Sequence, residues 1–466
     1  KSTIRAQTPE LLANINVCFV KESDNLTQNK VLLRGLEILS RISEHVSDAG
    51  NAKALLDLLL PLLRRPARVV SEKTKAHILE IFLKFLELVI SDAAEHATAG
   101  QPESPRQRLF TQFYGLTSFG FSTIKSRDCR VLLCLVLEKL AKVDPCQGSG
   151  CTPVPLMPVV EVVTDLNAYS TKRLEEPDFD RRLAAFSRIN DECWCDPNKL
   201  DARAWLPVLH NLVYFSQDVD EMSIRSNASH GLTRFIERVA QVLGAQPTPD
   251  EAEVQQFRSH MVHIVYVAIK RALDSQHKVV RSEYLAVLAH AVRKCGDKFV
   301  QLGDLRALDH EDEEASFFFN IQHIQLHRRI RALKRLVILI NPDQDTGDDS
   351  AMEVEENAPT QRAAHWFRTS TLTKLLVPLF ERFVFESDIQ ADHSLVAETI
   401  NTLGAIGLVL PWESYYALLR KYLRIVRRKP DLERPLFRIV VSFLNNFHFD
   451  IKSAEASASV AEAHDA

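Results

Sequence analysis

The sequence predicts an all-α fold, an α-solenoid in which successive pairs of helices stack side by side. Glycine is scarce, with 14 residues in a chain of 466, so few positions favour strand-connecting turns. Apolar residues recur at helical spacing nearly everywhere. The helix-length apolar segments also pair at intervals of roughly 40 to 50 residues, a period typical of helical repeats. With 46% hydrophobic and 25% charged residues, the composition is that of a folded chain with a large core.

The predicted helices follow one another with short polar or proline-containing breaks between them. The first are Leu11–Val20, Val31–Val46, Ala54–Leu63, Ala76–Ile90, Leu109–Phe121, Val131–Val143, Val159–Tyr169 and Arg181–Ile189. They continue with Trp205–Phe215, Ile224–Val242, Val254–Leu273, Val279–Cys295, Leu372–Phe385, Leu395–Leu410, Tyr415–Val426 and Leu436–Phe447. We therefore predict a HEAT-like helical array over residues 1–340 that continues over residues 365–450.

Two segments lack an apolar face and interrupt this array. Residues 342–361 hold seven acids and no base, so we expect residues 341–364 to be a disordered acidic insertion. Residues 451–466 are rich in alanine and serine and are predicted to be a flexible tail or linker. Without the seven acids the formal net charge of −4 would be +3, so the average charge excludes neither acidic nor basic partners.

Two predicted helices approach the signature of a HEAT repeat. In this signature an apolar residue and an arginine are followed at helical spacing by a small residue and a leucine. Arg225 is followed by Ala228 and Leu232, whereas Arg281 is followed by a tyrosine at the small position. Small residues let helices approach closely, and we expect each arginine to reach an acid or a carbonyl of a neighbouring unit.

The segment from Phe317 to Ile340 is predicted as one helix roughly 36 Å long. Its core-facing stripe and its second, partly cationic row both follow helical spacing. The stripe comprises Phe319, His323, Leu326, Ile330, Leu333, Val337 and Ile340; the second row comprises Phe317, Ile321, Ile324, Arg328, Arg331 and Arg335. Acids precede the segment, with Ser316 as candidate cap, and Asn341-Pro342 should end it.

Arginine rows on two predicted helices are the candidate binding residues, because guanidinium groups at this spacing can contact successive phosphates. The first set is His327, Arg328, Arg331, Lys334 and Arg335; the second is Arg420, Arg424, Arg427 and Arg428. Two other interpretations stay open: such rows can be solvated faces or can form salt bridges within the stack. The acidic insertion could also fold back over the first row.

Catalytic, cofactor and metal sites are not predicted. The sequence contains no phosphate-binding glycine loop, zinc-protease motif or nucleophile elbow. Cys146, Cys151, Cys193 and Cys195 could supply four thiolates to zinc, but neither pair has the usual two-residue spacing, which favours free thiols. Cysteines inside helical patterns indicate a reducing compartment, and no stretch is apolar enough for a membrane span. The chain begins without methionine, so we expect a piece of a longer protein.

The central segment resembles the hallmark of a known family. The pattern runs from Phe317-Phe318 through Asn320-Ile321, His323-Ile324-Gln325 and His327-Arg328-Arg329 to Arg331-Ala332-Leu333 and Arg335-Leu336. It is similar to the very large HEAT-repeat protein of the small-subunit processome, the down-regulated-in-metastasis family. Supporting segments are Trp205-x-Pro207, Asp220-Glu221 to Ser229, Pro411-Trp412-x-x-Tyr415 and Phe447–Asp450. The resemblance covers roughly residues 200–450; the first 200 residues fit only a generic helical repeat.

The resemblance implies a nucleolar scaffold without catalytic residues. Its implied partners are pre-rRNA, small nucleolar RNP and processome proteins during maturation of the small-subunit rRNA, with no membrane and no small-molecule substrate. Two alternatives remain open at this point. One is a solenoid that binds only proteins, such as a nuclear transport receptor or a phosphatase regulatory subunit. The other is the helical flank of a large lipid-kinase-like enzyme.

Overall fold

A computed structural model of the chain confirms the all-α class in the part that it describes. It describes residues 26–95, 104–145, 155–170, 176–192, 201–245, 250–310, 314–341, 367–386 and 392–449, with the single positions 10, 172 and 312. Within these ranges the β pairing is one isolated bridge between Tyr169 and Pro177. The chain divides into two compact units, residues 1–266 and residues 267–466.

Unit 1 is a series of helices in which sequence neighbours pack on one another. In order they are α1 Leu26–Ser43, α2 Ala49–Leu63, α3 Glu72–Glu95, α4 Pro105–Thr123, α5 Arg127–Lys142, α6 Met157–Leu166, α7 Phe179–Ser187, α8 Ala202–Phe215, α9 Met222–Gly244 and α10 Glu251–His260. Helix α3 packs against α2, α4 and α5, and α8 packs against α4 and α9. This is the pairing of neighbouring helices that the periodicity predicts.

Five helices of unit 1 begin where the sequence supplies a capping side chain. Asp48, Ser104, Ser126, Asp178 and Asp201 each accept a hydrogen bond from the backbone amide three residues later. Each cap satisfies one of the amides that have no partner within the helix. These caps explain why the observed helices start a few residues before the predicted apolar segments.

A buried arginine holds four helices of unit 1 together. Arg130 on α5 donates to the carbonyl oxygens of Phe121 and Ile124 at the end of α4, at 2.9 Å each. It also donates to the side-chain oxygens of Asn167, after α6, at 2.6 Å and of Asn211, on α8, at 2.9 Å. Its guanidinium carbon lies 3.8 Å from the ring centre of Tyr214. Sequence analysis did not single out this residue.

Unit 2 begins at the second residue of α11 Tyr266–Leu273 and contains α12 Lys278–Cys295, α13 Phe317–Asn320, α14 Leu326–Ile340, α15 Val377–Phe385, α16 His393–Val409, α17 Trp412–Arg428 and α18 Glu433–Asn445. Helix α16 packs against α14, α15 and α18, and α17 packs against α18. Gly404 permits the close approach of α16 and α18, because a Cβ there would lie 2.1 Å from the hydroxyl oxygen of Ser442. Tyr415 of α17 is anchored by a 2.8 Å hydrogen bond from its hydroxyl to the Phe443 carbonyl.

The prediction of one continuous helix over Phe317–Ile340 is wrong. The chain forms α13, a turn over residues 321–325, and then α14. The side-chain amide of Asn320 donates to the carbonyl oxygens of Glu314 and Ser316, at 3.0 and 2.7 Å, and Gln325 takes an extended conformation at the start of α14. Side-chain hydrogen bonds to local carbonyls compete with the helical ladder in this way.

The break changes which side chains are buried. Phe319, predicted on the core-facing stripe, is 43% exposed, and Ile324 is 92% exposed. His323, Leu326 and Ile330 are half-buried. The end of the stripe is as predicted, since Leu333, Val337 and Ile340 are buried, and the helix stops before Asn341.

The two HEAT-like arginines each donate a hydrogen bond to the loop before their own helix. One guanidinium nitrogen of Arg225 lies 2.9 Å from the Asp218 carbonyl oxygen, in the loop before its helix. Arg281 donates to the equivalent loop carbonyl, that of Ser275, at 2.8 Å and also pairs with the Glu386 carboxylate at 2.6 Å. Both carbonyls belong to the loop before the arginine's own helix and not to a neighbouring unit, where they were expected; the ion pair of Arg281 with Glu386 does reach an acid outside its own helix pair.

Several predictions lie outside the described residues: the helix over Leu11–Val20, the acidic insertion apart from Asn341, the tail at 451–466, and Cys146, Cys151, Cys193 and Cys195. The helical cysteines Cys129, Cys134 and Cys295 are buried thiols. Burial raises the pKa of Cys134 to about 12 and that of Cys295 to about 11, which disfavours the reactive thiolate. In the described part of the chain no helix is long and apolar enough to span a membrane.

Candidate nucleic-acid interface

The first predicted set lies on α14, and two of its arginines contact the chain itself. Arg328 forms an ion pair with the Glu314 carboxylate at 2.9 Å. Arg335 donates to the backbone carbonyl of the same residue at 2.8 Å. Partial burial lowers the pKa of Arg335, and the nearby Arg331 lowers it further. Both arginines therefore bind the segment that precedes α13.

A third arginine of α14, outside the predicted set, holds the turn. The Nε atom of Arg329 donates to the His323 carbonyl at 2.5 Å, and one Nη atom lies 3.5 Å from the Ile324 carbonyl. These carbonyls would bond to later amides if the helix were continuous, so Arg329 takes the place of the missing helical bonds. Of the predicted α14 set, His327 and Arg331 are exposed, and Lys334 is half-buried.

The second predicted set lies on α17, whose inner face is fixed by aromatic residues. Tyr415, Leu418 and Tyr422 are buried, and the rings of Tyr415 and Tyr422 lie 5.5 and 5.6 Å from that of Phe443 on α18. The helix begins after Pro411 and ends before Lys429-Pro430, where the chain cannot continue a helix. The inner contacts orient the opposite face of α17 towards solvent.

Five exposed side chains recur every four residues along α17: Trp412, Tyr416, Arg420, Arg424 and Arg428. Residues at this spacing are neighbours on the helix surface, about 6 Å apart along the axis, and each step turns by about 40°, so the series winds gradually around α17. The rings of Trp412 and Tyr416 stack at 5.3 Å, and the Arg420 guanidinium lies 5.5 Å from the centre of the Tyr416 ring. This series of five side chains thus starts with two aromatic rings and continues with three arginines.

The four predicted bases of α17, Arg420, Arg424, Arg427 and Arg428, are named the α17 arginine row. All four are exposed. Among the described residues no carboxylate lies within the 4.0 Å ion-pair distance of any of their guanidinium groups. Lys421, which follows Arg420 in the sequence, is different, because its amine pairs with both oxygens of Glu381 at 2.7 Å.

Sequence analysis missed two features of this surface. The aromatic rings of Trp412 and Tyr416 extend the arginine row, and the four-residue spacing could have revealed them. Exposed Arg434 and Arg438, one turn apart on the neighbouring α18, were also missed. Their spacing was visible in the sequence, whereas the contact between α17 and α18 was not. The described residues contain no cluster of side chains suited to a metal ion.

Comparison with known proteins places the chain in a family. The family described as "U3 small nucleolar RNA-associated protein 20, N-terminal" matches residues 1–277. The chain belongs to this family. The match confirms the recognition of a small-subunit processome family. The match also extends the resemblance to the first 200 residues, where sequence analysis found only a generic helical repeat.

Two curated members of the U3 small nucleolar RNA-associated protein 20 family are similar over most of the chain. The protein from Schizosaccharomyces pombe is 27% identical over 442 residues, which is 93% of this chain and 16% of the relative. The one from Saccharomyces cerevisiae is 26% identical over 416 residues, which is 87% of this chain and 15% of the relative. The chain thus spans about a sixth of the length of these relatives. Both arginine rows lie beyond the residues that the family description matches.

Proposed function

We propose that this chain is part of a non-catalytic scaffold of the small-subunit processome. It acts in processing of pre-18S rRNA and in biogenesis of the small ribosomal subunit. The proposal rests on the family and on the names of its relatives, which link them to the U3 small nucleolar RNA. It places the protein in the nucleolus, with pre-rRNA, small nucleolar RNP and processome proteins as partners.

Within this function we propose that the α17 arginine row binds RNA phosphates. The observation that carries the proposal is the surface itself: residues 420–428 of α17 present four solvent-exposed arginines, with no carboxylate of the described residues within ion-pair distance. An uncompensated row of guanidinium groups attracts a polyanion, and phosphate is the ligand whose geometry guanidinium matches. The α14 set is proposed to contribute less to the binding of RNA phosphates, because Arg328 and Arg335 contact Glu314.

The aromatic end of the row favours a single-stranded segment over a regular duplex. Trp412 and Tyr416 are 45% and 44% exposed, and the Arg420 guanidinium lies over the ring of Tyr416. Single-stranded nucleic acid is bound where aromatic side chains accompany a cationic track. A duplex would present stacked bases to which these rings have no access.

The test is ultraviolet crosslinking of the full-length protein to RNA in cells. Charge reversal of Arg420, Arg424, Arg427 and Arg428 to Glu should lower RNA crosslinking, with the largest loss at the α17 peptide. A matched control reverses four exposed bases elsewhere, Arg64, Arg68, Arg271 and Lys278, which imposes the same change of net charge. Equal crosslinking of both variants and of the unaltered protein would contradict the assignment.

The same variants address the alternative of a scaffold that binds only proteins. If the row bound an acidic protein surface, reversal would remove that protein from the purified particle and leave RNA crosslinking unchanged. Recovery of the full-length protein without any pre-rRNA would favour the alternative for the whole scaffold.

A further inference from the structure

We propose that the turn before α14 is a docking knob for a protein partner with an apolar pocket and an acidic rim. The knob comprises Phe319, His323, Ile324, His327 and Arg331. It lies outside the α17 arginine row, so the proposal stands independently of the RNA contact proposed there.

The knob carries the most exposed large apolar side chain among the described residues. Ile324 is 92% exposed, compared with 70% for Met222 and 67% for Val300. Phe319 is 43% exposed and lies against the ring of His323, with the ring centres 5.8 Å apart. An isoleucine with its whole side chain in water gains free energy when a partner covers it.

The exposed side chain is held in place by specific contacts. Arg329 donates to the His323 carbonyl at 2.5 Å, and the backbone amide of Gln325 donates to the His323 ring nitrogen at 3.1 Å. Phe317 and Ile321, on the N-terminal side of Ile324, are buried in the unit. The turn is thus anchored on both sides, and Ile324 projects from it. A side chain that is already ordered loses less conformational entropy on binding, as is typical of interface anchors.

The charge around Ile324 identifies the chemistry of the partner. His327 and Arg331 are exposed one turn apart at the start of α14, next to the turn. Arg329 lies against the turn, with its Nε atom 2.5 Å from the His323 carbonyl, and the pKa of His323 is lowered by desolvation and then by the nearby Arg328, His327 and Arg329. A cationic rim around an apolar centre is complementary to an apolar pocket lined by carboxylates at its edge.

An RNA occupant is less suited to this surface. Ile324 offers no ring for a base to stack on, unlike Trp412 and Tyr416 at the α17 row. Arg328 is already paired with Glu314, and Arg329 is committed to the turn carbonyls. The favoured occupant is therefore another polypeptide, and RNA becomes an outcome of the test.

The experiment measures the accessibility of position 324 in the full-length protein and in the particles it forms. Ile324→Cys and the control Val300→Cys, at another highly exposed apolar position, are labelled with a maleimide, and labelling of each peptide is quantified by mass spectrometry. In the purified protein both positions should react at similar rates. In particles, labelling at 324 should be about tenfold slower, labelling at 300 unchanged, and the protection should survive ribonuclease.

The acidic rim is tested with a second variant. Arg331→Lys keeps the charge and supplies an amine that a carbodiimide can couple to a carboxylate. The proposal predicts an amide link from Lys at position 331 to an Asp or Glu of another polypeptide in the particle. Absence of such a link despite protection at 324 would refute the stated chemistry.

Three other results would overturn the proposal. Equal labelling at position 324 in purified protein and in particles would mean that no partner covers the knob. Protection already present in the purified protein would mean that this chain covers its own turn. Loss of the protection after ribonuclease treatment would identify RNA as the occupant.

Discussion

Arg130 in unit 1 and the α17 arginine row in unit 2 place the same side chain in opposite surroundings. Arg130 is 1% exposed, and its four hydrogen bonds go to neutral oxygens at the ends of α4 and α6 and on α8. The α17 arginines are exposed, and no described carboxylate lies within ion-pair distance. An arginine enclosed by carbonyls stabilises the fold, whereas an exposed row is available to a ligand.

The α14 arginines are intermediate between these two cases. Arg328, Arg329 and Arg335 are half-buried and contact nearby backbone carbonyls or the Glu314 carboxylate. Arg328, Arg331 and Arg335 follow steps of three and four residues, the same helical steps that separate the arginines at positions 420, 424 and 427. The comparison teaches that the oxygens within reach, and not the spacing of the arginines, separate a structural role from a binding role.

The largest expected effect is on Arg130. Arg130→Ala leaves the Asn167 side-chain oxygen and two helix-end carbonyls without this donor in a buried region, and the Asn211 oxygen keeps only the bond from the Asn167 amide. We expect a loss of about 3 to 5 kcal/mol in the free energy of unfolding of unit 1. Hydrogen exchange of the amides in α5 and α8 measures this locally. A loss below about 1 kcal/mol would contradict the structural role.

The second prediction concerns pH and sharpens the contrast, because a titrating group makes stability depend on pH only where folding changes its pKa, as burial does. Burial lowers the pKa of His210 on α8 to about 3, and the nearby His260 contributes. Since the unfolded chain binds this proton near pH 6.5, stability is present above that pH and falls as the pH drops. We expect unit 1 to lose about 2 kcal/mol between pH 7 and pH 5.

Chemical denaturation at the two pH values checks this prediction. His210→Gln cannot titrate, so its stability should depend less on pH over the same range. An equal dependence in both proteins would show that other groups cause the acid response.

The third prediction separates two arginines of α14, one that contacts the chain and one that is exposed. Arg335→Ala removes the hydrogen bond to the Glu314 carbonyl and should cost about 1 kcal/mol. Arg331→Ala, on the same helix and exposed, should change stability by less than about 0.5 kcal/mol. Thermal denaturation of both variants measures the difference. Equal effects would mean that the contact with Glu314 contributes nothing.

The helix order was largely predictable from the sequence, because apolar periodicity reports burial directly. The predicted segment Trp205–Phe215 covers all of α8 except its first three residues, and Leu109–Phe121 lies within α4. The break after Asn320 was not predictable, because Phe319, His323 and Ile324 keep the helical spacing across it. That break depends on hydrogen bonds from Asn320 and Arg329 to carbonyls, which carry no periodic signal.

The candidate sites were predictable only in part, for a related reason. Spacing identified both arginine rows, but it could not place Glu314 beside Arg328 and Arg335. Arg130 was missed because its partners Asn167 and Asn211 are far away in the sequence. Long-range polar contacts of this kind can be recognised only when the packing of the helices is known.

The smallest stability effect is expected at α17. Arg424→Ala should change the free energy of unfolding by no more than about 0.5 kcal/mol, because its side chain is exposed and no described carboxylate is within ion-pair distance. Urea denaturation measures it. A clear destabilisation would mean that the row belongs to the fold and would weaken its proposed role in binding.

The most direct test of the contrast is the salt dependence of RNA binding by the full-length protein. Replacing Arg420, Arg424, Arg427 and Arg428 by Gln should lower the magnitude of the slope of log affinity against log salt by about 3. The reason is that RNA binding releases fewer counterions when the protein makes fewer phosphate contacts. Replacing Arg328 and Arg335 by Gln should leave that slope unchanged. Equal slopes for the α17 variant and the unaltered protein, or a fall in slope confined to the α14 variant, would contradict the account.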